Sequence, residues 1–258
     1  RTAPPLLACA RARYQPRDCG STSDRTQQHQ HNETVARPPT TAGKGVSEAA
    51  GALMNLALQD AETQAAIVAE GALPLLVGML SSGTPAGQEE AAGAIMNLVT
   101  DSPAHQKKVV EAGGVLPLVM LLTWGTPAAR EQSAAALGNL AHKNEPNRKA
   151  IIAAQAVPAL LEMVKGASGD AEKDKGAKPL KQTAKGGKVT GGGKVEAANC
   201  LRALLEGEKL VQAEVVAEGA LTPIVALLKD KTSEEAGTRL LACFDECFEE
   251  LIETAKAK

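Results

Sequence analysis

The chain of 258 residues is long enough for one large core or for several stacked units, and 44% of it is hydrophobic but only 2% aromatic. So little aromatic bulk argues against a single-core enzyme and suits Ala- and Leu-rich helices, whose axes approach closely when side chains are small. The net charge of −2 hides a segregation: residues 1–45 hold seven Lys/Arg against three Asp/Glu, residues 165–194 eight against three, and the remainder thirteen against twenty-four.

Residues 1–45, with "APP", "RPPTTAGKG" and "STSDRTQQHQHNET", show no sustained periodicity and read as an irregular or disordered segment. From residue 46 the pattern turns helical. "VSEAAGALMNLAL" places apolar residues at helical spacing. "AETQAAIVAEGALPLLVGMLSS" predicts a short helix stopped by Gly71 and a second helix with Pro74 in its first turn. "GTPAGQEEAAGAIMNLVTD" supplies a third helix. The cycle returns in "SPAHQKKVVEAGG", "VLPLVMLLTW" and "TPAAREQSAAALGNLAHK", then in "NEPNRKAIIAAQ" and "AVPALLEMVK", and later in "KLVQAEVVAEG" and "ALTPIVALLKD". The marker prolines Pro74, Pro117, Pro158 and Pro223 are spaced by 43, 41 and 65 residues, the last gap enlarged by a Lys/Gly-rich insertion at 166–193. The final helix, about 233–255, sets Leu240, Leu241, Phe244, Phe248, Leu251 and Ile252 against an acidic face and reads as a cap on the stack.

A period near 42 with three helices per period predicts a solenoid, in which each unit buries its apolar face only against its neighbours. The stretch "IVAEGALPLLVGMLSS…QEEAAGAIMNL" resembles the armadillo repeat, and the resemblance runs over roughly 46–164 and 195–240 in three good copies and one weaker one. It implies an all-α, right-handed superhelix of about four units: a partial unit at 46–58, then 59–101, 102–143, 144–206 with the insertion, and 207–258 with the capping helix, so that 46–258 form one domain. Two departures are visible. Gln155 replaces the Gly of the first two turns, and Ala203 replaces the recurrent third-helix Asn.

That Asn, in "LMNL", "IMNL" and "LGNL", is Asn55, Asn97 and Asn139. In the armadillo family the third helices line a groove, and the corresponding Asn binds the backbone of an extended peptide. A carboxamide suits this task because it both donates and accepts. The same Asn could instead bond to backbone of the adjoining unit. Helical spacing places Glu48, Glu90, Gln132 and Glu196 seven residues before each slot, and His142 three after the last Asn. The resemblance therefore implies an acidic groove for an extended, basic protein or peptide partner. The Trp residues that nuclear-import adaptors of the family carry four positions before the Asn are absent, which disfavours that role. Trp124 falls at the end of a second helix.

No catalytic set, metal spacing or cofactor motif stands out. "GGKVTGGGKV" and "AGKGVS" lack the spacing and the Ser/Thr of a phosphate loop. The insertion has lysines but no aromatic for stacking on bases, so nucleic acid is not an expected partner; a solvated loop, or a competitor folded over the groove, are its readings. "HQH" at 29–31 reads as part of the disordered segment rather than a metal site, and "NET" at 32–34 matches a glycosylation acceptor, a common tripeptide, with nothing that indicates secretion. Cys243 and Cys247, one helical turn apart, read as small buried hydrophobes. Five cysteines without a framework suggest a reducing compartment, and no apolar run of spanning length occurs. We expect a non-catalytic interaction module or scaffold, cytoplasmic or nuclear. Because the chain begins at Arg1, it reads as a fragment. Alternatives are the substrate-recruiting part of a larger enzyme, such as a U-box ubiquitin ligase, or a vacuolar-type adaptor held to a membrane by lipidation.

Overall fold

A computed structural model describes residues 42–58, 60–165, 192–217, 219–229 and 231–244. The expectations for residues 1–41, for most of the insertion and for the acidic helix beyond Phe244 lie outside these residues. Among the described residues every regular element is a helix: α1 (Ala42–Leu56), α2 (Ala61–Ala69), α3 (Ala72–Ser82), α4 (Pro85–Val99), α5 (Pro103–Glu111), α6 (Val115–Trp124), α7 (Pro127–Ala141), α8 (Glu145–Ala153), α9 (Ala156–Lys165), α10 (Gly193–Leu205), α11 (Lys209–Ala217), α12 (Leu221–Leu227) and α13 (Glu234–Ala242). The first helix starts before the expected boundary at 46, and it takes in the "AGKG" stretch.

The helices fall into triplets after α1, and third helices pack on third helices in the order α1, α4, α7, α10, α13. Third helices supply Ile95, Leu98, Leu137, Leu140, Leu201 and Leu204 to a continuous core, and second helices supply Leu76, Leu118, Leu160 and Ile224. Each such side chain contributes about 1.5–3 kcal/mol through burial.

The repeat is more regular than its prolines. Leu76, Leu118 and Leu160, all buried, follow one another at intervals of 42. Pro158 occupies the slot of Pro74, whereas Pro117 sits one place later and exposed Leu116 takes the earlier slot. Both slots lie in the first helical turn, where the missing N–H has no partner to lose. This is why the marker spacings read 43 and 41.

Two recurrent left-handed residues stop the helices. After each first helix stand Gly71 (φ +80°), Gly113 (+76°), Gln155 (+65°) and Gly219 (+77°). After the third helices stand Asp101 (+52°), Lys143 (+51°) and Gly207 (+78°). Gln155 thus departs from the repeat in residue type but not in conformation, and it carries the strain that a Cβ brings to this region. Thr84 and Thr126 cap α4 and α7, each hydroxyl accepting at 3.1 Å from the N–H three residues on, with Pro next to the cap.

Buried amides on the first helices join the units. Gln64 Nε2 donates to Ala57 O (2.9 Å) and to Asn97 O (3.2 Å). Gln106 Nε2 donates to Asn139 O (2.9 Å), and its Oε1 accepts from Asn144 Nδ2 (3.0 Å). Asn147 Nδ2 donates to Leu140 O (3.0 Å) and Gln212 Nε2 to Leu205 O (2.6 Å). All the accepting carbonyls lie at C-terminal ends of third helices, where intrahelical donors run out.

Candidate functional site

The third-helix face is the surface that the recurrent Asn marks. Asn97 is 2% exposed and donates from Nδ2 to Met54 O at 2.9 Å. Asn139, half-buried, repeats the bond one unit on: Nδ2 reaches Met96 O at 3.2 Å and Thr100 Oγ1 at 2.9 Å. In both cases the acceptor is the carbonyl just before the previous unit's Asn. The amide therefore ties each third helix to the one before it. No described group donates to either Asn side-chain oxygen, so one acceptor per unit is left over. Asn55, which has no described unit before it, is exposed.

Small residues let the acidic row lie flat on the helices. Beneath Glu90 is Gly51: a Cβ added there would stand 3.0 Å from Glu90 Oε2. Beneath Gln132 is Gly93, whose added Cβ would meet the Gln132 carboxamide at 3.3 Å. Gln132 is 3% exposed and Glu90 and Glu196 are half-buried, while Glu48 lies at the surface. The four positions predicted from spacing thus occupy one repeated place, each packed over the preceding third helix where the contact is described.

The structure adds two acids that the sequence reading missed, Glu89 and Glu131, one residue earlier in each copy. Burial, then the charges of Glu196 and Glu89, push the Glu131 carboxyl up to about 7. Burial and Glu90 raise Glu89; burial raises Glu90; burial raises Glu196 against the opposing hydrogen bond from Asn199. Glu90 Oε2 is buried without a partner. None of these four carboxylates has an ion-pair partner among the described residues. The 42-residue recurrence of "EE" and "EQ" in "GQEEAAG" and "AREQSAA" was the available signal.

His142 caps the end of α7, its N–H bonded to Asn139 O at 3.3 Å. It holds the slot of Thr100, which meets the next unit's Asn; for His142 that next residue is Ala203, which has no amide to offer. Cys200 is fully buried, with its thiol pushed up by burial; Cys243 is half-buried rather than buried as expected, because it follows the end of α13 at Ala242, and Cys247 lies outside the described residues. Among the described residues no cluster of three His, Cys, Asp or Glu is placed to hold a metal. No single described helix is long and apolar enough to cross a membrane.

Residues 60–100 and 102–142 match the model of the Armadillo/beta-catenin-like repeat. These segments, α2–α4 and α5–α7, are armadillo repeats, and the solenoid that contains them has the armadillo fold. An engineered protein is similar at 27% identity with a TM-score of 0.67, over 84% of this chain and 81% of that one. A second engineered protein is similar at 26% identity and a TM-score of 0.65, over 82% and 81%. A designed armadillo repeat protein in complex with the peptide (KR)4 shares the fold at 22% identity and a TM-score of 0.65, over 84% of each chain. No curated protein sequence matches the chain. An armadillo stack is in general a non-catalytic binding scaffold.

Proposed function

We propose that the third-helix face grips an extended, basic segment of a partner protein. The observation that carries this reading is the unneutralised row of Glu89, Glu90, Glu131 and Glu196 on successive third helices. Carboxylates held half-buried without cations are a cost to the folded chain, and a basic partner offsets it. The designed armadillo protein bound to (KR)4 supports the same reading by analogy of fold. Asn55, Asn97 and Asn139 would offer side-chain oxygens to the partner's N–H groups, while Glu48, Glu90, Gln132, Glu196 and His142 line the path. Asn97, at 2% exposure, contributes least in this conformation.

The test is fluorescence anisotropy of the full chain with labelled extended octapeptides, one of alternating Lys and Arg, one of alternating Asp and Glu. We expect the basic peptide to bind, to weaken steeply with salt, and to weaken further on Glu90→Gln. Equal binding of the two peptides, or binding of neither, would refute the reading.

A further inference from the structure

We propose that the solvent face of α3 and α6 docks a second copy of this chain. The proposal is independent of the groove reading, which concerns the third helices.

Neither α3 nor α6 carries an ionisable side chain. Both bury leucines on one side, yet the side turned to water is apolar as well. Leu75 is 73% exposed, Leu116 59%, Met120 52% and Trp124 76%. A surface helix normally presents charge there. The next second helix, α9, does so with Glu162 and Lys165, which pair at 2.7 Å. A large side chain has on the order of 200 Å² to bury, so these four at their exposures present on the order of 500 Å². Apolar patches of this size on a monomer are commonly interaction sites.

The face holds both halves of a joint. Leu116, Met120 and Trp124 recur at every fourth position and form one ridge along α6. The same places on α3, one repeat earlier, are held by Pro74, Gly78 and Ser82, all small and all exposed. A Cβ added at Gly78 would meet nothing within 4 Å. The fold itself therefore has no steric need for this glycine, which a helix interior disfavours against alanine. It deepens a trough of small residues beside the ridge. α3 and α6 pack side by side and, as equivalents in successive repeats, point the same way. A two-fold axis running between them and parallel to both lays the ridge of each copy in the trough of the other, Met120 over Gly78. The contact is then made twice, as an isologous interface requires.

Charge favours a copy of this chain over a charged partner. The face has no charge to pair, and a net charge of −2 gives two copies little to repel. The acidic row lies on the third helices and stays outside the contact. With the small residues of α3 added, the patch approaches the about 800 Å² that a standard interface takes from each partner.

The experiment is sedimentation equilibrium of the full chain from micromolar to submillimolar concentration, with the emission of Trp124, the only tryptophan, followed in the same samples. We expect the mass to rise from one chain to two with a micromolar dissociation constant, and the emission to shift to the blue as the indole leaves water. Met120→Glu, at an exposed site, should fold and weaken pairing by at least about tenfold. Gly78→Leu has open space around it in the single chain, yet it fills the trough and should weaken pairing as well. Circular dichroism establishes that each variant is folded. A single-chain mass at every concentration overturns the proposal; a blue shift seen only with phospholipid vesicles would then assign the face to a membrane surface. A dimer that both folded variants leave intact also overturns it.

Discussion

The side-chain amide of Asn97 donates to the backbone carbonyl of Met54, 43 positions earlier, at 2.9 Å, and Asn139 does the same to Met96 at 3.2 Å. The polar residue recurs in an apolar helix because it ties each third helix to the carbonyl end of the one before: for Met54 O the Asn97 amide is the described donor, while Met96 O also accepts from Thr100 Oγ1 at 2.8 Å. Truncation leaves a buried acceptor without its donor. Asn97→Ala should destabilise the chain by about 1–3 kcal/mol in urea denaturation. Asn55→Ala, at an exposed site, should fall within about 0.5 kcal/mol of the parent. Equal losses at the two sites would remove the distinction.

Gln155 holds a left-handed conformation, φ +65°, that glycines hold in three sister turns. Gln155→Gly should raise stability by about 0.5–1 kcal/mol, because the Cβ strain relieved exceeds the added freedom of the unfolded chain. The converse change, Gly113→Ala, should lower it by about 1 kcal/mol. Thermal or urea denaturation of both variants reads the two signs.

Ser133 is fully buried and its hydroxyl has no hydrogen-bond partner. The corresponding position one unit earlier is Ala91, equally buried. Ser133→Ala should leave stability unchanged or raise it by up to about 1 kcal/mol. A loss larger than that in equilibrium unfolding would mean that the hydroxyl does bond in solution.

The raised Glu131 carboxyl also predicts how stability varies with pH. A folded-state value of about 7, above the ordinary 4.5, means that the folded chain binds more protons than the unfolded chain in that interval. Stability should therefore fall as pH rises from about 4.5 to about 7, then level off. Glu89, Glu90 and Glu196 are raised as well and add to the same trend. Melting temperatures followed from pH 5 to pH 8 should decline in the parent and decline less in Glu131→Gln.

The helices and their triplet grouping were legible because they depend on local features: apolar spacing, prolines in first turns and residues that stop helices; the ends were less so, since α1 starts at Ala42 rather than 46 and α13 stops at Ala242, inside the single helix expected over 233–255. Even the substitution of Gln155 pointed to its own site of strain. Less of the binding face could be read. The Asn positions were found, but the sequence could not tell a bond to a partner from one to the preceding unit, since the acceptor lies 43 residues away and is a backbone atom. Glu131 was passed over because one helical register, seven residues before the Asn, was followed, and its neighbour in the other register was not. The sequence carried no sign that Gln64, Gln106 and Gln212 are buried. Nothing in a linear pattern marks a glutamine whose partner is the frayed end of another helix.

Ala203 stands where the next Asn would be, so the tie from α10 back to α7 is missing, although Gly138 brings that helix within 3.4 Å of Cys200 Cα, measured from an added Cβ. In a stack whose strength is a chain of nearest-neighbour terms, this seam lacks one that the two before it have. Partial opening should begin there, freeing α10–α13 while the two armadillo repeats before them stay folded. Cys200, fully buried in that seam, is a built-in reporter. Its thiol should become reactive at denaturant concentrations below those that melt the rest, so the rate of its labelling times the parting of the seam.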